Sequence, residues 1–153
     1  MFGAGCFWGV QATFDKVKGV KKTLVGFSGG KMKSPSYEDV CTDKTGHVEV
    51  IYIEFNPKQI GYDELLDIFW TAHDPTQVGG QGPDMGTQYR SVIFYYSAAQ
   101  KKAALVAIKT MEEKRVFEGR EIVTAIEPAK KFYKAEEYHQ KYSEKHGGAS
   151  CHI

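Results

Sequence analysis

The residue best placed to do chemistry is Cys6, in the stretch Gly-Ala-Gly-Cys-Phe-Trp-Gly near the start of the chain. Apolar positions recur at helical spacing from Cys6 to about Val17, which predicts a helix directly after a glycine turn. The thiol then lies in the first helical turn, where unpaired N–H groups and the helix dipole favour an anion and increase the thiolate fraction. The sequence therefore indicates a reactive cysteine rather than a structural one.

The other two thiols have different surroundings. Cys41, in Tyr-Glu-Asp-Val-Cys-Thr-Asp-Lys, has no aromatic or glycine setting, and we interpret it as a small buried residue, with a redox role left open. Cys151 lies third from the C-terminus in a glycine-containing tail. It is either an incidental surface thiol or a resolving cysteine that closes a disulfide with an oxidised partner. Beside a reactive Cys6, the resolving role is favoured.

Two other interpretations of these residues fail. A dinucleotide-binding loop would need a third glycine where Trp8 stands, and a longer strand before it. A zinc site made from the three cysteines and the histidines lacks a Cys-x-x-Cys pair or closely spaced histidines. We expect neither a metal nor a cofactor.

Glu49 is a carboxylate in an apolar setting. In the segment His-Val-Glu-Val-Ile-Tyr-Ile-Glu-Phe, Glu49 has the same strand parity as Ile51, Ile53 and Phe55, whereas Glu54 points the other way. A buried carboxyl without a cation partner has a raised pKa, stays protonated at neutral pH and is a natural general acid. The alternative is a glutamate at a strand end that reaches solvent.

These residues need a scaffold, and the patterns predict strands alternating with helices. Predicted strands cover residues 1–5, 20–27, 47–57, 90–96 and 121–128, and predicted helices cover 6–17, 61–73, 97–117 and 135–145, with one helical turn at 36–40. A sheet of four or five strands with separate helices predicts an α+β fold, a two-layer α/β sandwich. The glycine- and proline-rich residues 74–88 predict a long loop that is functional or mobile, and the tail 145–153 is expected to be flexible.

The composition limits the classes of function. The 153 residues form one predicted domain over 1–153, and the net charge of +1 argues against a dedicated nucleic-acid or membrane surface. Three cysteines without a secretory signal indicate free thiols in a reducing compartment, so we expect a cytoplasmic protein. We expect it to be a monomer.

Five segments together resemble one known family. Residues 3–9, 35–57, 67–77, 81–96 and 132–142 are similar to the A-type peptide methionine sulfoxide reductases, and the match runs nearly end to end. The resemblance implies a ferredoxin-like core with long loops, and an enzyme that reduces the S epimer of methionine sulfoxide, free or in proteins. It also implies roles for seven residues: Cys6 as the nucleophile, Phe7 and Trp8 as the pocket for the substrate methyl group, Glu49 as the proton donor, Tyr37 and Tyr89 as hydrogen-bond donors to the sulfoxide oxygen, and Asp84 on the same polar rim.

The resemblance further implies how the enzyme is recycled. A C-terminal cysteine condenses with the Cys6 sulfenic acid, and thioredoxin or a similar dithiol reduces the resulting disulfide; Cys151 fits that role by position. Many relatives carry a second recycling cysteine in the tail, whereas this chain has one, so direct reduction by an external thiol competes. Gly80 stands where an arginine is common in the family.

Two rival functions are a non-catalytic ferredoxin-like binding module with an inert Cys6 and a thiol peroxidase. We interpret Tyr138, His139 and Tyr142 as packing and hydrogen-bonding groups that hold the C-terminal region in place, and His73 as a satisfied core histidine.

Overall fold

The computed structural model describes residues 1–147. Eight strands form, namely β1 (Phe2–Ala4), β2 (Val20–Ser28), β3 (Val48–Phe55), β4 (Gly80–Gln81), β5 (Asp84–Met85), β6 (Ser91–Tyr95), β7 (Ala125–Pro128) and β8 (Tyr133–Lys134). The α-helices are α1 (Phe7–Asp15), α2 (Tyr37–Cys41), α3 (Tyr62–Ala72), α4 (Ala98–Glu113) and α5 (Tyr142–Lys145). None of the helices in this part of the chain is both long and apolar enough to span a bilayer.

The centre of the fold is a four-stranded antiparallel sheet in the order β6-β1-β3-β2. Along the chain these strands follow the pattern strand, helix, strand, strand, helix, strand, with α1 and α3 as the two long crossovers. This connectivity and strand order are those of a ferredoxin-like core. Strand β7 extends the sheet in parallel beside β6, and β8 extends it in antiparallel beside β2.

Each face of the sheet has its own apolar layer. The helices α1 and α3 pack on one face, where Phe14, Ile51, Phe69 and Ile93 are completely buried. The opposite face is covered by the loop segments around Ala129 and Phe132. This arrangement confirms the predicted α+β class. Glu49 is buried in β3 and Glu54 is exposed, as their opposite strand parity predicted.

Several predicted boundaries are wrong. The strand predicted over 121–128 is regular only from Ala125, because Val123 instead donates its backbone N–H to the Pro75 carbonyl at 2.8 Å. The helix predicted over 135–145 is a 3-10 turn followed by α5, since Lys141 adopts a left-handed conformation with φ 57° and interrupts it. The long loop over 74–88 contains the small β4–β5 hairpin.

The segment after β8 is fastened to the edge of β2 by Gln140. The side-chain oxygen of Gln140 accepts the Val25 N–H at 3.0 Å, and its amide nitrogen donates to the Val25 carbonyl at 2.9 Å. The amide group thus makes the pair of hydrogen bonds that a neighbouring strand would make. A second connection follows at once, because the Lys141 ammonium lies 2.7 Å from the Asp15 carboxylate of α1.

Candidate active site

The start of α1 brings Cys6 into the interior. Gly5 has φ 87°, in the left-handed region that suits glycine, and turns the chain from β1 into the helix. Cys6 is the N-cap residue of α1, as the sequence predicted to within one position, and it is buried. Its side chain therefore lies at the positive end of the helix dipole.

The Glu49 carboxyl lies beside this helix start. One carboxyl oxygen of Glu49 accepts the backbone N–H of Phe7 at 3.1 Å, so the carboxyl is attached to the residue that follows Cys6. Only 1% of Glu49 is exposed, and its other oxygen has no hydrogen-bond partner among residues 1–147. The pKa of Glu49 rises from its ordinary value of 4.5 to about 8, and burial is the largest cause. The hydrogen bond from the Phe7 N–H lowers this pKa, and the nearby Asp84 carboxylate raises it further. At pH 7 the carboxyl is therefore mostly protonated.

Two phenols and a second carboxylate surround Glu49. Burial is the largest cause that raises the pKa of Tyr37, and the nearby Glu49 carboxyl adds to it. Burial and then Glu49 likewise raise the pKa of Tyr89 to about 12, so both phenols keep their protons at neutral pH. Asp84 has one buried oxygen that no described residue hydrogen-bonds. The two phenols and the Asp84 carboxylate thus lie near enough to Glu49 to interact with it electrostatically.

The capping of α2 holds Tyr37 in place. Ser36 and Asp39 form a reciprocal capping box, in which the Ser36 hydroxyl accepts the Asp39 N–H at 3.1 Å and the Asp39 carboxylate accepts the Ser36 N–H at 2.9 Å. The backbone N–H of Tyr37 also donates to both oxygens of Glu136, at 3.2 Å each. The backbone that carries the phenol is therefore held by α2 and by Glu136, which are distant in sequence.

Aromatic rings form the other wall of the site. The Phe7 and Tyr37 rings lie 6.5 Å apart, and the Trp8 indole stacks on Tyr142 at 3.7 Å. The indole N–H of Trp8 donates to Nδ1 of His139 at 2.9 Å. His139 is completely buried, and burial lowers its pKa although Glu136 opposes the shift, so the imidazole is the neutral acceptor that this bond requires.

The structure brings most of the predicted site residues together. Cys6, Phe7 and Trp8 adjoin Glu49, which interacts electrostatically with Tyr37, Tyr89 and Asp84. Cys151 lies outside the described residues. Cys41 is exposed, so our interpretation of it as buried was wrong; Val40 is the residue of α2 that faces the core.

The C-terminal segment contributes to the site through His139. We expected His139 to pack and to hydrogen-bond, and the structure shows that its partner is the indole of Trp8. The partner lies 131 residues away along the chain, and the sequence holds no signal that joins the two positions. Among the described residues, no group of three or more histidine, cysteine, aspartate or glutamate side chains could hold a metal ion.

The arrangement defines a class of chemistry. In its reduced form, a cysteine at a helix N-terminus can attack an electrophilic centre, while the protonated carboxyl and the two neutral phenols beside it can protonate and hydrogen-bond the oxygen that is released. The fold and the site together define an α+β, thiol-dependent oxidoreductase.

Comparisons with known proteins agree with this class. Residues 1–153 match the family model described as peptide methionine sulfoxide reductase. The peptide methionine sulfoxide reductase MsrA of Methanothermobacter thermautotrophicus is 56% identical over 152 residues, which are 99% of this chain and 89% of that protein. The reduced form of Mxr1 from Saccharomyces cerevisiae has a TM-score of 0.90 at 37% identity, over 98% of this chain and 86% of that one. A crystal structure of Mxr1 in complex with Trx2 matches with a TM-score of 0.63 at 29% identity, over 92% of this chain and 81% of that one. The chain belongs to the peptide methionine sulfoxide reductase family.

Proposed function

We propose that this enzyme reduces the S epimer of methionine sulfoxide with Cys6 as the nucleophile and Glu49 as the proton donor. The observation that carries the proposal is the buried, protonated Glu49 carboxyl, which is hydrogen-bonded to the N–H of the residue after Cys6. A nucleophile and a general acid attached to the same helix start can act on the two atoms of one S–O bond.

The reaction begins when the Cys6 thiolate attacks the sulfur of the sulfoxide. Negative charge develops on the sulfoxide oxygen, and the second oxygen of Glu49, which accepts no bond from the described residues, is free to present its proton there. The S–O bond breaks, the sulfur returns to the thioether, and the oxygen ends on Cys6 as a sulfenic acid. Tyr37 and Tyr89 donate hydrogen bonds to the oxygen because both phenols are neutral.

The aromatic rings of the site bind the apolar methyl group of the substrate. Phe7 and Trp8 form the pocket for the methyl group, and the bond from Trp8 to His139 fixes the plane of the indole against it. Asp84 lies on the polar rim, where its buried oxygen can accept a hydrogen bond from the substrate. The arginine that is common in the family at this position cannot contribute to the rim, because residue 80 of this chain is glycine.

Recycling of the enzyme uses the tail. We infer that Cys151 attacks the Cys6 sulfenic acid, releases water and forms a disulfide, which a thioredoxin or a similar dithiol then reduces. The solved complex of the relative Mxr1 with Trx2 supports a reductant of this kind. A reducing compartment such as the cytoplasm fits this cycle, and we expect the enzyme to work as a monomer.

The test uses cysteine variants and two substrates. Cys6→Ser should lose all reduction of N-acetylmethionine sulfoxide, and substantial activity in that variant would overturn the mechanism. Cys151→Ser should complete one turnover and then accumulate the sulfenic acid, while the control Cys41→Ser should keep multiple turnover. Consumption of hydrogen peroxide at a rate equal to that of the sulfoxide would instead favour a thiol peroxidase.

A further inference from the structure

The β4–β5 hairpin carries a methionine with unusual surroundings. Met85 is 65% exposed and pairs directly across the hairpin with Gly80. Its sulfur lies over that glycine, since a Cβ added at residue 80 would be 3.1 Å from Sδ and 2.4 Å from the Asp84 carbonyl oxygen. The next residue, Gly86, has φ 131° and also lacks a side chain. The thioether therefore lies on the exposed side of a short extended strand, beside a glycine of the partner strand.

Met85 points away from the active site of its own chain. Neighbouring residues of a strand face opposite sides, and the Asp84 side chain interacts with Glu49. The Met85 side chain accordingly emerges on the outer side of the hairpin, where most of its surface reaches solvent.

The hairpin that bears Met85 is held by side chains rather than by a large core. Gln81 exchanges two hydrogen bonds with the backbone of Asp74, at 2.7 and 2.8 Å, and Gln77 exchanges two with Gly82, at 2.8 and 3.2 Å. The strand is thus kept extended while its outer face stays open. The hairpin thus presents an exposed methionine on an extended segment.

The other methionines are less accessible. Met1 is buried in the sheet, and Met111 is half-buried on α4. Met32 is 41% exposed, but its carbonyl oxygen is held 2.7 Å from Nε2 of His47 in an ordered loop.

We propose that Met85 is an oxidation site which a second copy of this chain repairs. The proposal rests on the proposed function, because the second copy acts through its sulfoxide reductase activity. Hydrogen peroxide transfers one oxygen to the Met85 sulfur, its O–O bond breaks, and water leaves. The Cys6 thiolate of the other copy then attacks the sulfoxide sulfur, the S–O bond breaks, and the oxygen is released to that Cys6 as a sulfenic acid with one proton from Glu49.

The experiment separates the copy that is repaired from the copy that repairs. Cys6→Ala protein is oxidised with hydrogen peroxide, freed of peroxide, and mixed with a small amount of reduced wild type and dithiothreitol. Mass spectrometry of peptides then follows the added oxygen at Met85, Met32 and Met111. Wild-type protein with its cysteines alkylated serves as a second inactive substrate, in case the variant does not fold.

Because one sulfoxide epimer is reduced, we expect the oxidised fraction at Met85 to fall about two-fold and then stop. The fall should be faster at Met85 than at Met32 or Met111, and absent without the wild type. An unchanged Met85 sulfoxide, or an equal fall without wild type, would overturn the proposal. Oxidised wild type offers a further test. If the rate of its repair per molecule did not change with protein concentration, each chain would be repairing itself, and the proposal would be overturned.

Two controls make the result specific. Met85→Leu should show no added oxygen in that peptide and should reduce N-acetylmethionine sulfoxide at the wild-type rate. The same wild-type sample is assayed on N-acetylmethionine sulfoxide in parallel. If it reduces the small substrate but not Met85, this inference alone is wrong; if it reduces neither, the proposed function fails as well.

Discussion

The substitution Glu49→Gln should change how the stability of the fold depends on pH. Folding raises the pKa of Glu49 from 4.5 to about 8, so between these values the folded chain keeps a proton that the unfolded chain has lost. The free energy of unfolding therefore falls as pH rises through this window. Each pKa unit corresponds to about 1.4 kcal/mol, so the destabilisation is about 3 kcal/mol at pH 7 and about 5 kcal/mol above pH 8.

Glutamine removes this dependence because it is neutral at every pH. It can still accept the Phe7 N–H, and it carries no charge that Asp84 could repel. The variant should match the wild type at pH 4.5 and exceed it by about 3 kcal/mol at pH 7. Urea unfolding under reducing conditions at a series of pH values, followed by circular dichroism, measures the difference.

Glu54→Gln is the matched control, on the same strand but on the exposed side. We expect this variant to follow the wild type within about 0.5 kcal/mol at every pH. A constant difference between wild type and Glu49→Gln from pH 5 to pH 9 would refute the reasoning, because it would mean that the carboxyl titrates alike in the folded and unfolded chains. The Glu49 general-acid role would then lose its physical basis.

Two further substitutions test other parts of the structure. Tyr37→Phe removes one neutral donor to the developing oxyanion and should lower kcat about 10²-fold, with little effect on the melting temperature. The control Tyr138→Phe, at an exposed position, should change neither quantity. An unchanged kcat in Tyr37→Phe would show that the phenol does not contact the oxygen. Gln140→Ala leaves the Val25 N–H without its partner and should reduce the free energy of unfolding by about 1–3 kcal/mol. Gln59→Ala, on the surface, is the control. Equal unfolding midpoints in urea for the two variants would contradict the role of Gln140 in holding the edge of β2.

Local patterns in the sequence predicted the parts of the site that depend on local structure. The parity of β3 placed Glu49 on the helix face, and the glycine turn before Cys6 placed the thiol at the start of α1. Both features follow from the two-residue period of a strand and from the way a helix begins. The ferredoxin-like strand order came from the family resemblance, because periodicity does not determine which strands are neighbours.

The features that the sequence did not predict depend on contacts between distant segments. The 3-10 turn and α5 replaced a continuous helix because Lys141 is held by Gln11, whose side chain accepts its N–H at 2.7 Å. Val123 hydrogen-bonds to the Pro75 carbonyl instead of continuing β7. In both places tertiary hydrogen bonds outweigh a local propensity of a few tenths of a kcal/mol per residue, as is usual for short elements.

The two edges of the sheet affect whether another polypeptide can add to it as a further strand. Strand β7 ends at Pro128, which has no N–H to offer, and β8 is only two residues long. Between β8 and the open end of β2, the Gln140 amide occupies the groups of Val25 that another chain could pair with, and Lys21 and Lys22 add charge beyond it. These features limit the backbone groups at both edges of the sheet that another extended chain could pair with.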